Sequence, residues 1–167
     1  MSDNLTLYLS SSQVLLKAMS TYFKLYDINA QINNIQSQVG DLIKAKEGLS
    51  NSVEIVTLVT ELLKLNKQKD RINGSVNSEL VESISILLKM INNLLLNTNE
   101  DATEISVCQK HLQSINEFAS SCDQLDFSSL VVDINRIVNK CREKKKPYWD
   151  NIALSLSRLL SIAGSQG

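Results

Sequence analysis

The chain carries apolar residues at heptad spacing over its N-terminal third. Over residues 14–49 they recur in alternating steps of four and three, and only Thr21 and Lys46 interrupt the series. A repeat of this kind is typical of one face of a long α-helix. The sequence therefore predicts a first helix over about residues 14–49, in which Asp27 and Gly40 are the points where a kink would be expected. The apolar positions of this seam are Val14, Ala18, Leu25, Ile28, Ile32, Ile35, Val39, Leu42 and Leu49.

Apolar stripes with a helical period also run through the rest of the chain. Gly74 follows a basic last turn and predicts the end of the second helix, and Pro147 suits the first turn of the last helix. In the third helix, Val81, Leu88 and Leu95 widen the apolar face, so we expect this helix to be the most buried. The predicted shorter helices span about residues 53–73, 76–97, 100–122, 129–145 and 147–163.

Composition supports an all-α fold. One proline and five glycines in 167 residues are too few for the tight turns of an all-β fold, and a hydrophobic content of 43% is ordinary for a globular domain. We predict a single elongated bundle of five to six helices, with residues 1–167 forming one domain and the long first helix packed on the shorter ones. No segment is apolar enough for a transmembrane helix, and residues 1–12 lack a signal-peptide pattern, so the expected location is cytoplasmic.

Cysteine and histidine offer little chemistry. Cys108, Cys122 and Cys141 are too widely spaced for a disulfide framework and are expected to be reduced and mostly buried. His111 is the only histidine and lies one helical turn from Cys108, a spacing at which both could bind a metal ion. No further ligand has suitable spacing, so core packing explains the pair better. We expect no metal and no cofactor.

The sequence does not favour an enzyme. It contains no glycine-rich phosphate loop and no nucleophile motif that His111 would activate as a base. Glu100, Asp101 and Glu104 could form an acid and base pair, but their place in the first turns of a predicted helix explains them as partners of the helix dipole. No catalytic residue is therefore assigned.

A basic run with aromatic neighbours is the strongest charge feature. Such a run fits contact with a phosphate group, an anionic lipid surface or an acidic partner. In the alternative interpretation, it is a helix C-terminus that neutralises its own dipole and faces the acids of the neighbouring fourth helix. The candidate contact residues are Arg136, Lys140, Arg142, Lys144, Lys145, Lys146 and Trp149.

The leading hypothesis is a non-enzymatic helical-bundle module that binds an unidentified protein through its helix faces, as an adaptor or effector. A homodimer through the first helix is one version, because the seam is longer than any following predicted helix could cover. A formal net charge of −1 disfavours nucleic acid as the partner. The alternative is a bundle that binds anionic lipid or perturbs membranes through residues 136–146 and the amphipathic last helix.

Overall fold

A computed structural model describes residues 3–45, 49–97, 101–122 and 125–166. These residues form five α-helices and no β-strand, so the predicted all-α fold with a long N-terminal helix is confirmed. None of the helices in these ranges is both long and apolar enough to cross a membrane. The helices are α1 (Asp3–Ala45), α2 (Leu49–Leu96), α3 (Ala102–Ser121), α4 (Val131–Glu143) and α5 (Pro147–Gln166), with a 3-10 turn at Ser128–Leu130.

Helix α1 is continuous through Asp27 and Gly40 and begins well before the predicted start. The reason is that its buried face continues upstream through polar side chains. Ser11 is fully buried and Asn4 is only 8% exposed. A pattern of apolar residues does not include these two positions, because serine and asparagine are polar. Both nevertheless lie at heptad intervals from Ala18. The start predicted near residue 14 is therefore wrong, whereas the seam is confirmed from Ala18 to Leu42. The end predicted at residue 49 is also wrong, because α2 begins at Leu49 rather than near residue 53.

Helix α2 runs through the position where two helices were predicted to meet. Gly74 lies inside it, and no glycine in the described ranges has the positive φ of a left-handed helix end. Buried apolar residues continue on both sides of Gly74, with Leu65 before it and Val76 and Leu80 after it. Burial of these side chains outweighs the roughly 1 kcal/mol that a glycine costs in a helix. The predicted break at residues 73–76 is therefore wrong.

The chain divides into two compact units. The first unit comprises Met1–Met19 and Asn77–Gly167, and the second comprises Ser20–Val76. The second unit contains the rest of α1 and the first half of α2, which pack as a helical hairpin. The apolar contacts of this hairpin join Ile28, Ile32, Ile35 and Leu65, which are buried, to Val39, Leu58, Leu62 and Ile72, which are half-buried.

The second half of α2 supplies the centre of the first unit. It contributes more of the largest fully buried side chains than any other helix in the described ranges, as its wide apolar face predicts. Helix α5 packs against both α3 and α4 and closes the core with its own apolar face. The α2 residues at this centre are Leu80, Ile84, Leu87, Met90, Ile91 and Leu94.

The remaining helix ends have local causes. Asp101 caps α3 by accepting hydrogen bonds from the backbone N–H groups of Thr103 and Glu104 at 2.9 and 3.3 Å. Helix α4 ends at Glu143, slightly earlier than predicted, because Lys145 adopts a left-handed conformation with φ of 56°. Helix α5 begins at Pro147 as predicted but continues past the expected end at residue 163 to Gln166.

Replacing Gly74 with alanine tests the continuity of α2. An added Cβ at this position would meet no atom within 4 Å. Because glycine is more flexible than alanine in the unfolded chain, Gly74→Ala should stabilise the protein by about 0.5–1 kcal/mol, measured as the shift of the urea unfolding midpoint. A left-handed glycine at a helix end would instead be destabilised by the same change. Gly40→Ala, in the equally open interior of α1, is the matched control.

Burying a charge in the centre of the first unit should be far more damaging. Leu87 is 1% exposed, so Leu87→Asp would strand a carboxylate in the core and should cost about 3 kcal/mol or more. The control is Leu96→Asp, on the same helix, because Leu96 is 70% exposed. Equal melting temperatures for the two variants would contradict the assignment of this core.

Candidate functional site

The basic run lies at the junction between α4 and α5. The Nη2 atom of Arg136 is 3.6 Å from Oδ1 of Asp133, and Nζ of Lys146 is 5.9 Å from the centroid of the Tyr148 ring. The left-handed Lys145 turns the chain between the two helices. Arg136, Arg142, Lys145 and Lys146 are exposed, whereas Lys140 and Lys144 are half-buried.

Trp149 does not belong to this basic surface. Its side chain is fully buried, at 0% exposure, in the core closed by α5. The expectation that Trp149 acts as an aromatic anchor beside the cations is therefore corrected: the first turn of α5 points this ring inward. The surface at the α4–α5 junction is cationic, and Tyr148, half-buried, is the aromatic residue beside it.

The acids at the start of α3 have structural roles. Asp101 caps the helix, as its first-turn position predicts, and a carboxylate oxygen of Glu104 accepts a hydrogen bond from Asn4 Nδ2 at 3.3 Å. Oδ1 of Asn4 in turn accepts from Nδ2 of Asn93 at 3.3 Å. These contacts join the start of α3 to α1 and α2. Glu100 lies outside the described residues, and the pairing of these acids with the basic run stays a prediction.

Arg136 also borders a small cleft between α2 and α4. The cleft has a volume of about 220 Å³. Oδ1 of Asn92 is buried there and receives no hydrogen bond from any described residue. Ligand pockets usually begin near 300 Å³, so this cleft is smaller than a usual small-molecule site. Its lining residues are Ser85, Leu88, Lys89, Asn92, Asp133, Arg136 and Ile137.

A buried polar cluster that the sequence did not indicate connects α1, α2 and α3 in the first unit. The hydroxyl of Ser11 donates to the carbonyl oxygen of Ser83 at 2.8 Å, and the hydroxyl of Ser83 donates to the carbonyl oxygen of Ser11 at 2.9 Å. Nε2 of His111 lies 2.8 Å from Oγ of Ser11. The Tyr8 ring meets the imidazole edge-on, with 5.2 Å between centroids.

The geometry of this cluster is structural rather than catalytic. Since the two serine protons are used in the reciprocal bonds, the consistent arrangement has Nε2–H of His111 donating to Ser11. Burial lowers the pKa of His111 below its ordinary value of 6.5, so the ring is neutral at neutral pH. Ser11 is fully buried, and no substrate can reach its hydroxyl. The cluster therefore fastens three helices together and does not activate a nucleophile.

The cysteines are reduced and buried, as predicted. Burial raises the pKa of the Cys108 and Cys141 thiols to about 12, and the carboxylate of Asp150 adds to the effect at Cys141. Both groups are therefore protonated and poorly nucleophilic at neutral pH. Within the described ranges, no three His, Cys, Asp or Glu side chains are grouped as metal ligands would be.

In the first unit, the outward face of α1 carries a second apolar stripe. Leu5, Leu9 and Leu16 are 42, 51 and 64% exposed. Their heptad spacing continues through Ser12 and Met19, which are half-buried. No charged residue interrupts positions 4–16. A helix with apolar residues at heptad spacing on two faces can pack against a second helix in addition to its own core.

A partner of α1 in the first unit would cover this outward stripe. The predicted homodimer rested on a first helix longer than every following helix, but α2 has 48 residues and α1 has 43. That premise is wrong, because two predicted helices are one. The surface of α1 that is available to a partner in the first unit is the outward stripe rather than the buried seam.

The buried histidine predicts a pH dependence of stability. Because the pKa of His111 is lower in the folded than in the unfolded protein, the unfolded chain binds the proton more readily as the pH falls below 6.5. The free energy of unfolding should therefore fall with pH in this window and level off below the lowered pKa. His111→Gln keeps an N–H donor for Ser11 without a titrating ring and should flatten the curve, measured by urea unfolding at a series of pH values. Parallel curves for parent and variant would contradict a neutral, buried His111.

Two surfaces are thus the strongest candidates on the first unit: the basic end of α4 and the outward stripe of α1. Neither exposes a histidine or a cysteine, since His111 and the three cysteines are buried. Comparison of the chain with known protein families, curated proteins and solved structures found no match, so its function is inferred from these surfaces alone.

Proposed function

We propose that the chain is a non-enzymatic protein-interaction module that binds a partner protein through an exposed helix face, as an adaptor or effector does. The observation that carries this proposal is the outward stripe of α1. Leu5, Leu9 and Leu16 leave about half of each side chain in water. Covering them would contribute about 1 kcal/mol per leucine, which favours a binding surface.

The heptad spacing of the stripe favours a helix of the partner protein as the element that covers it. Its residues lie in a straight line along α1 at heptad intervals, and a partner helix with the same spacing would fill the gaps between them. No charge lies within positions 4–16 to penalise the loss of water. The partner is therefore expected to present an uncharged apolar helix face.

Binding to anionic lipid is the second candidate, and the exposed cations at the α4–α5 junction favour it. Arg142, Lys145 and Lys146 would each contribute about 1 kcal/mol near a charged membrane. The apolar face of α5, however, is directed into the core: Trp149 and Leu156 are both fully buried. Contact with lipid would rest on charge without an inserted apolar face, which makes the protein partner the better supported proposal.

Site-specific photocrosslinking tests the stripe. A benzophenone amino acid at Leu16 should form adducts with the partner in lysate of cells that make the protein, whereas the same group at exposed Gln113 of α3 should not. Leu9→Glu in the same chain should lower the adduct yield at least tenfold without changing the melting temperature, since Leu9 is half exposed. Adducts of equal yield at both positions, or none at either, would contradict the proposal.

Photocrosslinking of the purified protein distinguishes a homodimer from a different partner. Adducts formed by the purified protein alone would identify a homodimer through α1.

Sedimentation with acidic liposomes tests the lipid candidate. If the parent sediments at low salt and a variant with Lys144, Lys145 and Lys146 replaced by Gln does not, the basic run binds anionic lipid.

A further inference from the structure

One stretch in the middle of α2 contributes no buried side chain. Leu65 before it and Val76 after it are buried, but every residue from 66 to 75 is exposed or half-buried. The boundary between the two compact units, at Val76 and Asn77, follows directly. Helix segments held by few buried side chains open at a lower free energy than the core beside them. We call residues 66–75 the exposed segment of α2.

Charge and composition weaken the exposed segment further. Lys64, Lys67 and Arg71 are exposed at spacings of three and four residues, so they lie along one side of the helix. Like charges at these spacings destabilise a helix, and Asp70, three residues from Lys67, offsets only part of the repulsion. Gly74 is among the residue types least favourable in a helix interior. We therefore expect the exposed segment to open more readily than the buried second half of α2.

The exposed segment contains the one Asn-Gly pair of the sequence, Asn73 and Gly74. In an unfolded chain such a pair undergoes deamidation. The backbone nitrogen of Gly74 gives up its proton and bonds to Cγ of Asn73, while the Cγ–Nδ2 bond breaks and Nδ2 takes up a proton and leaves as ammonia. Water then opens the five-membered imide at Cγ, which gives aspartate, or at the main-chain carbonyl, which gives isoaspartate. Glycine favours the ring closure because no Cβ hinders the attacking nitrogen.

The closed helix prevents this reaction. Each N–H group in an α-helix donates to the carbonyl oxygen four residues earlier, so the nitrogen of Gly74 is held in the hydrogen-bond ladder of α2. Asn73 would have to leave its helical φ and ψ before Cγ could reach that nitrogen. Deamidation of the folded protein therefore requires the exposed segment to open.

We propose that Asn73 is a modification site at which deamidation is controlled by local opening of the exposed segment. Isoaspartate at this position adds one carbon to the main chain, which interrupts the hydrogen-bond ladder of α2 and prevents the segment from closing again. A transient opening thus becomes a permanent break in α2 between Leu65 and Val76. The site does not depend on the stripe of α1 or on the proposed partner.

Comparison of the folded chain with the chain unfolded in guanidinium chloride tests the site. Both are incubated at the same mildly alkaline pH, and peptides that contain residue 73 are separated and identified by mass spectrometry. The folded chain should form isoaspartate roughly tenfold or more slowly than the unfolded chain, but at a measurable rate. Asn73→Gln should remove the product in both states. Equal rates in the two states, or no product from the folded chain after prolonged incubation, would overturn the proposal.

Three core variants distinguish local opening from unfolding of a whole unit. Val76→Ala removes a buried side chain at the edge of the exposed segment and should speed the reaction several-fold. Ile115→Val in the first unit and Ile32→Val in the hairpin should leave the rate unchanged, although each would raise it if its unit had to unfold. Acceleration by either control equal to that of Val76→Ala would overturn local opening.

A charge variant tests the exposed segment without removing a buried side chain. Lys67→Glu replaces the repulsion from Lys64 and Arg71 by attraction, so the folded chain should react about twofold more slowly. Residue 67 is too far along the chain to alter the ring closure itself, and the rate in guanidinium chloride should stay the same. A slower reaction in both states would contradict control by opening.

Proteolysis tests the consequence of the modification. Trypsin should cleave after exposed Lys67 faster in the isoaspartate form than in the unmodified protein, because the break leaves the exposed segment open. Equal cleavage rates would contradict a permanent break in α2.

Discussion

Apolar burial on both sides of Gly74 keeps α2 a single helix, and each unit takes part of its core from that helix. The first half of α2 supplies Leu65 to the hairpin, and the second half supplies Leu80 and its neighbours to the core of the first unit. Each buried leucine contributes about 2 kcal/mol or more, against about 1 kcal/mol lost to glycine in a helix interior. A helix end at Gly74 would interrupt the series of buried positions along α2.

The competition between tertiary burial and local sequence preference also explains which parts of the fold could be predicted from the sequence. The seam from Ala18 to Leu42 is apolar and periodic, so its helix follows from the pattern alone. The upstream extension does not, because Ser11 is buried only where Ser83, 72 residues away in the chain, can exchange hydrogen bonds with it. Gly74 likewise indicates a helix end from local sequence alone, whereas the tertiary burial that keeps α2 continuous cannot be seen in the local sequence.

At the candidate site, the sequence alone does not indicate which side chains face the core and which face solvent. The basic run can be found from charge, but Trp149 is its neighbour only along the chain. In α5 the helical period directs this ring to the core. Apolar residues on two faces of one helix, such as Leu9 and Leu15, also look alike in sequence, and the fold decides which of them is covered.

The stripe of α1 in the first unit specifies the kind of partner more closely than its orientation. No charged residue lies within positions 4–16, so a matching helix can pack against Leu5, Leu9 and Leu16 in either direction. Selectivity at this surface therefore rests on side-chain shape, because charge within the stripe rewards neither orientation over the other.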